Sequence, residues 1–358
     1  MNYAARQRAA RAQLAASGAE ALLVSHLPNV RYLCGFSGSN GLLLMTARGA
    51  VLFTDGRYRE QAGQEVREAR VAIPAQGDLW RAAAERASGR AGVAIEAEHA
   101  TLAQRARFLR HWGQPARGLR GVSGWIEAQR AVKEPAEIAA IRRAVELASS
   151  VFEPTLGQVR PGMAETAVAG VLEFGLRQAG GEGLSFDTLV ASGPRAARVH
   201  GRPTAAALPR HGFVVFDYGV ILGGYVSDMT RTVHLGRAGR RARDVYRTVR
   251  EAQAAAIAAV RPGIGCAAVD EAARAVIRGA GWGPNFAHST GHGVGLEIHE
   301  APRIAATSSE TLAAGQVITI EPGVYIPGWG GVRIEDVVLV TETGAEVLTP
   351  TPKEMLTL

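Results

Sequence analysis

This chain is short of several things, and each shortage removes a class of function. Two cysteines in 358 residues, Cys34 and Cys266, stand far apart and without ligand spacing, which excludes a disulfide-stapled scaffold and a thiolate-held structural zinc. Lysine is almost missing. Lys133 and Lys353 are the two, so the net charge of +7 and the pI near 9.9 rest on arginines scattered through helix-like segments. Aromatic residues are 6% of the chain, and none interleaves in sequence with the densest arginine group, Arg237, Arg240, Arg241 and Arg243. That group therefore reads as a solvated loop or helix face and not as a nucleic-acid platform. No run of about 18 apolar residues is available to span a bilayer, and the arginine- and alanine-rich start has neither a secretory core nor a cleavage signal. The expectation is a cytoplasmic protein with no nucleic-acid or membrane partner. Low-complexity tracts and tandem repeats are also lacking.

What remains is ample for an enzyme. At 47% apolar content the chain can bury a large core, and its length suits two domains. Residues 3–20 read as an amphipathic helix, followed by short strands over 21–25, 41–46 and 50–54, and strands alternate with helices to about residue 117. The pattern breaks over 121–134, and Glu134-Pro135-Ala-Glu137 then opens a helix with acids in its first turn, where the helix dipole favours them. Further helices are expected near 135–156, 164–179, 241–260 and 267–280. The division expected is an α/β domain over 1–120, a linker over 121–134 and a second domain over 135–358.

The second part holds the chemistry. Asp217 ends the apolar run Gly212-Phe-Val-Val-Phe, and Asp228 interrupts the alternating run from Tyr225 to Val233, with Gly223-Gly224 between as turn punctuation. A turn centred between Leu222 and Gly223 sets position 217 opposite 228, making the two aspartates cross-strand neighbours. Like charges so placed are destabilising, and burying both costs more unless a cation lies between them. An exposed hairpin edge with two solvated carboxylates is the alternative. Glu321 ends a third apolar run, Val317-Ile-Thr-Ile, and Pro322 biases it toward extended backbone. Along Gly331 to Val340, read as one strand, a period of two sets Arg333 and Glu335 on one face and Val332, Ile334 and Asp336 on the other. Glu335 is thus expected to have a guanidinium beside it.

Four acids at the ends of hydrophobic strands are joined by a glycine-rich run, His288-Ser-Thr-Gly-His292-Gly-Val-Gly-Leu-Glu-Ile-His299-Glu300. Glycines on both sides of His292 let backbone approach a metal or a peptide closely, although a plain loop would use them too. Carboxylates with one imidazole suit manganese, cobalt, iron or zinc. Two such cations about 3.5–4 Å apart are a known arrangement for aminopeptidase chemistry. His26, His99, His111, His211 and His234 have no neighbours in sequence that suggest a role.

Asp217-Tyr-Gly, Gly224-Tyr-Val-Ser-Asp228-Met-Thr-Arg231-Thr, the run from His288 to Glu300, Ile320-Glu321-Pro322-Gly323 and Gly331-Val-Arg333-Ile-Glu335-Asp336 resemble the pita-bread metallopeptidases. Within them they resemble the proline-specific branch, aminopeptidase P and prolidase, more than methionine aminopeptidase. Asn29 to Gly41 and Thr54 to Glu60 resemble that branch's N-terminal domain. The resemblance implies an α/β N-terminal domain plus an α+β pita-bread domain, a curved antiparallel sheet with helices on its outer side. It implies Asp217, Asp228, His292, Glu321 and Glu335 as ligands of two divalent metal ions, manganese first and zinc or cobalt next, with Asp228 and Glu335 bridging. His200, His288 and His299 match histidines that face substrate or stand behind the ligands, and Arg333 matches an arginine that braces the acids. The chain departs from the pattern at Arg195 and Val199, before His200, which puts the shape of that loop in question.

The implied reaction is hydrolysis of the bond between an N-terminal residue and a following proline, a tertiary amide without the N–H that general peptidases grip. Glu321 would move the proton, and His299 and His200 would support the carbonyl oxygen or the proline. Peptides with proline at the second position are the implied partners, and a homodimer the implied assembly. Prolidase, restricted to dipeptides, is the alternative. A metal-free creatinase-like enzyme or a non-catalytic binding module would be expected to have lost ligands that are present here.

Overall fold

The computed structural model describes residues 1–358 as two compact units, Met1–Arg130 and Ala131–Leu358. In the first, six strands form one mixed sheet: β1 (Ala21–Val24), β2 (Gly41–Thr46), β3 (Gly49–Thr54), β4 (Arg70–Ala72), β5 (Val93–Glu96) and β6 (Leu119–Val122), in the order β4-β3-β2-β1-β5-β6. The β1, β2 and β5 runs are almost wholly buried, which is why their sequences are nearly continuous in Leu, Val, Ile and Ala. The helix Tyr3–Ser17 starts on an Asn2 cap and ends on Gly18 in the left-handed conformation, three residues before the sequence pattern fades. Residues 121–134, read from the sequence as a linker, hold the end of β6 and the helix Trp125–Ala131. Ser123 and Gly124 there punctuate a short turn into a helix and not a flexible stretch.

The second unit carries the remaining strands: β7 (Gly183–Leu184), β8 (Leu189–Ser192), β9 (Gly212–Tyr218), β10 (Val220–Leu222), β11 (Tyr225–Val226), β12 (Met229–Leu235), β13 (Gly291–Gly293), β14 (Glu300–Ile304), β15 (Val317–Ile320), β16 (Gly323–Ile326), β17 (Gly330–Arg333), β18 (Asp336–Val340) and β19 (Ala345–Val347). They pair antiparallel as β12-β9-β8, β11-β10-β7, β14-β13-β15-β18-β19 and β16-β17. Alternation along β9 builds two cores at once. Phe213 and Val215 pack with the helices Arg240–Ala259 and Cys266–Gly279, while Val214, Phe216 and Tyr218 pack with the helices Pro135–Ser150, Phe152–Leu156 and Glu165–Gln178. Asp217 continues the Phe213–Val215 row, so the strand's own hydrophobic periodicity aims the acid.

Two sequence expectations are corrected here. The turn of the β9–β12 hairpin is Gly223-Gly224 itself, both with positive φ (59° and 75°), so the register pairs Leu222 with Tyr225 and Asp217 with Thr230. Asp228 is two positions off the expected partnership. An even shift leaves every side chain on its original face, so Asp228 still points the way of Asp217. The run from Gly331 to Val340 is not one strand: β17 ends at Arg333 with β16, and β18 begins at Asp336 with β15. Between them the Glu335 amide donates to the Thr230 carbonyl (3.1 Å), so the chain changes partners at the acid.

Candidate active site

Asp217, Asp228, His292, Glu321 and Glu335 line one cavity of about 410 Å³, with His200, His299, Ile298, Phe186, Asp187, Leu189 and Arg202 as the rest of its wall. Ligand atoms of Asp228, His292 and Glu335 all lie within 4.8 Å of one another. His292 Nε2 is 3.6 Å from both Asp228 Oδ2 and Glu321 Oε1. Asp217 stands to one side of that triad, its Oδ2 taking a 2.5 Å hydrogen bond from Arg333 Nη2.

Burial raises the carboxyl of Asp228 well above its ordinary range, and Glu335, Asp217 and Glu321 add like-charge repulsion. Glu335 is raised by the same two causes, and Glu321 is pushed up to about 8 by burial first, with Asp217 adding to it and Arg333 opposing. His292 runs the other way: burial holds its imidazole down at about 4 and hence neutral. Its Nδ1 lies 3.0 Å from the Gly293 carbonyl, which can only accept. The proton is therefore on Nδ1, and the Nε2 lone pair faces the acids. A neutral imidazole aimed into a group of underneutralised carboxylates is the donor set of a hard or borderline cation, and Asp228, His292 and Glu335 are spaced to hold a divalent ion.

Arg333 organises the acids from behind. Besides Asp217 it donates through Nε to Thr230 Oγ (3.0 Å), whose hydroxyl in turn donates to Glu335 Oε2 (2.8 Å). The guanidinium expected beside Glu335 thus reaches it through Thr230. Arg333 Nη1 donates to Tyr325 Oη (2.7 Å) and to the Val199 carbonyl (3.1 Å). The Tyr325 hydroxyl, already accepting from Arg333, gives its proton to His288 Nε2 at 2.9 Å, while His288 Nδ1 donates to the Ser289 carbonyl at 2.8 Å. With both ring nitrogens engaged and burial pressing its pKa down to about 3, His288 is a support for Tyr325 and Arg333 and is not part of the cavity wall. His200 and His299 are exposed on that wall. The His299 ring stands edge-on to His292 with centroids 4.3 Å apart, and burial with His200 nearby lowers its pKa.

The departures before His200 find partners. Glu165, fully buried, accepts from Ser192 N and Oγ, from Thr204 N and Oγ, and from Arg195 Nε (3.0 Å to Oε2). Arg195 Nη2 also donates to the Arg202 carbonyl (2.8 Å). Arg195 therefore ties both ends of the His200 loop, and Val199 serves through its carbonyl, for which the side chain is immaterial. Sequence reading missed Thr230, Tyr325 and Glu165. Thr230 was within reach, two residues along the same strand face from Asp228.

Residues 139–342 match metallopeptidase family M24, and residues 6–132 match the creatinase/prolidase N-terminal domain. The uncharacterized peptidase YqhT of Bacillus subtilis (strain 168) is 36% identical over 343 residues, 95% of this chain and 96% of its own length. An Xaa-Pro dipeptidase from Bacillus anthracis has a TM-score of 0.96 at 34% identity, covering 100% of both chains. An X-Pro aminopeptidase from Thermotoga maritima MSB8 has a TM-score of 0.90 at 34% identity, covering 95% of this chain and 98% of that one.

Proposed function

The chain belongs to metallopeptidase family M24, and we propose that it is an Xaa-Pro aminopeptidase, releasing the N-terminal residue from peptides whose second residue is proline. The observation that carries the reading is the convergence of three buried acids, the half-buried Glu321 and a neutral imidazole on one cavity whose wall also presents His200 and His299. Asp217, Asp228, His292, Glu321 and Glu335 would hold two divalent cations, which would supply Lewis acidity toward the scissile carbonyl and toward water. The proposal takes manganese as the cation and a homodimer in the cytoplasm as the working form.

The protein's own groups divide the remaining work. Glu321, on the cavity wall 3.6 Å from His292 Nε2, takes the proton from water and returns it to the prolyl nitrogen as that bond breaks. His299 and His200, which line the cavity, take the role of donating to the carbonyl oxygen or packing against the proline ring. Arg333 keeps Asp217 and, through Thr230, Glu335 in position. Asp187 and Arg202 on the cavity wall form an ion pair (2.9 Å) whose side chains are 74% and 78% exposed, and the proposal assigns that exposed edge to residues after the proline.

A strict Xaa-Pro dipeptidase is the second reading, favoured by the likeness to the Bacillus anthracis enzyme and by a guanidinium at the mouth that could hold a free carboxylate. Release of the first residue from Xaa-Pro and from Xaa-Pro-Yaa, measured side by side with manganese, separates the two. Cleavage of the dipeptide alone rejects the aminopeptidase. Glu321→Gln is expected to lower kcat by about 10²–10⁴-fold, and undiminished turnover would remove the proton-transfer role.

A further inference from the structure

The loop that carries Ile298 and His299 closes on the carboxylate of its own next residue. Glu300 Oε1 accepts from the backbone amides of Leu296 (2.8 Å) and Glu297 (3.1 Å), and its Oε2 lies 3.1 Å from Lys133 Nζ. A Cβ on Gly295 would come within 2.6 Å of that carboxylate, so the loop wraps it with no room to spare. Lys133 reaches it from 167 residues away, with a side chain 1% exposed against 6% for Glu300. Its own backbone is held, its amide donating to the Gly315 carbonyl (2.9 Å) while Val132 bridges Gln316. Where arginine supplies the positive charge almost everywhere, this buried pair uses one of two lysines.

We infer that Lys133 is a positioning residue for His299: through its ion pair it keeps the Glu300 carboxylate turned to the loop amides, and the loop then holds His299 and Ile298 against the cavity. The physical basis is that a buried carboxylate that loses a bonded cation is held less firmly in its place. That loss weakens its grip on the two amides that shape the loop. The backbone of Glu300 pairs with Gly293 of β13 whatever its side chain does, and the His292 amide has its own tie to Thr319 Oγ (3.1 Å), so the side-chain pair acts on the loop before it acts on the ligand strand.

The inference rests on the role proposed for His299, so its test has one arm that needs no substrate. In Lys133→Met, with Lys133→Arg as the charge-keeping control, the ring resonances of His299 should shift or broaden while those of His234 stay in place. Unmoved His299 resonances in Lys133→Met would overturn the inference whatever the protein hydrolyses. On an Xaa-Pro-Yaa peptide, Lys133→Met should lower kcat about 10–100-fold, with KM and manganese uptake little changed and Lys133→Arg close to the parent. Added to His299→Ala, it should cost no more than about a further 2-fold, because the two act through one group. A full additive loss would mark Lys133 as merely structural and sink the proposal. Should Lys133→Met not fold, Lys133→Met/Glu300→Gln removes both members of the pair and is read in the same way; wild-type resonances and kcat there reject the inference.

Discussion

Both units bury carboxylates, and the acids of the second unit's cavity are treated in the opposite way from those of the first. In the first, Glu96 accepts from the amides of Ser25 (2.6 Å) and His26 (2.8 Å) and from Asn29 Nδ2 (2.7 Å), and the same Asn29 amide reaches Glu127, which also meets His99 Nε2 at 3.0 Å. Burial pushes Glu127 up, but the Asn29 amide and His99 outweigh it and hold its carboxyl below the ordinary range. In the second unit, Asp228, Glu321 and Glu335 are buried with too few donors, and all are driven upward. Burial alone therefore does not mark a reactive site in this protein. Burial without matching donors does, since it leaves charge for a cation to satisfy. Asp336 makes the point at close range: one residue from Glu335, it turns to the opposite face and meets Arg231 Nη2, Gln253 Nε2 and Lys353 Nζ, each at 2.7 Å.

The sharpest way to break this contrast is Asp228→Asn. Metal affinity and turnover should fall beyond the about 10–100-fold typical of losing a residue behind the ligands, while the metal-free variant should melt higher than the metal-free parent because one repelling carboxylate is gone. Calorimetric manganese titration and thermal unfolding of the stripped protein check both, and a lower melting temperature would refute the idea of a strained cluster. The next effect is on pH. Glu321 goes from about 4.5 in the unfolded chain to about 8 when folded, so the folded protein holds a proton that the unfolded one releases. Its contribution is complete below about 4.5 and lost as pH rises through about 8, by of the order of a few kcal/mol. Denaturant titrations of metal-free protein across that window should show falling stability, and saturating manganese should flatten the slope. The smallest change is expected from Glu96→Gln in the first unit, which strips a satisfied carboxylate of some of its bonds. It should lower stability by about 1–3 kcal/mol and leave kcat for peptide unchanged, which unfolding and steady-state assays of one preparation would show.

The register error shows what local reading can and cannot resolve. Gly223-Gly224 announced the turn, but its centre was placed one residue early, and because the error moved the pairing by two, the facing of Asp217 and Asp228 survived. Arginine surroundings were harder. Arg241 lies 4.5 Å from the ring centroid of Trp329 and 5.7 Å from that of Trp282, aromatic company that no neighbour in sequence foretold. Lys133 and Glu300 are hidden for the same reason: each is an ordinary charged residue until a chain separation of 167 is closed.

Sequence by itself determined the facing of the acids and which chemical donors the second unit can offer, because apolar periodicity sets the face of each strand and an acid in such a row must be buried or aimed. Only tertiary structure decided how those donors are supported: which nitrogen of His292 faces the acids, that His288 stands behind Tyr325 and not in the cavity, and that Arg333 reaches Glu335 through Thr230. These are matters of hydrogen bonds between segments remote in the chain, and a hydrogen bond depends on ångström-scale position, which periodicity does not carry.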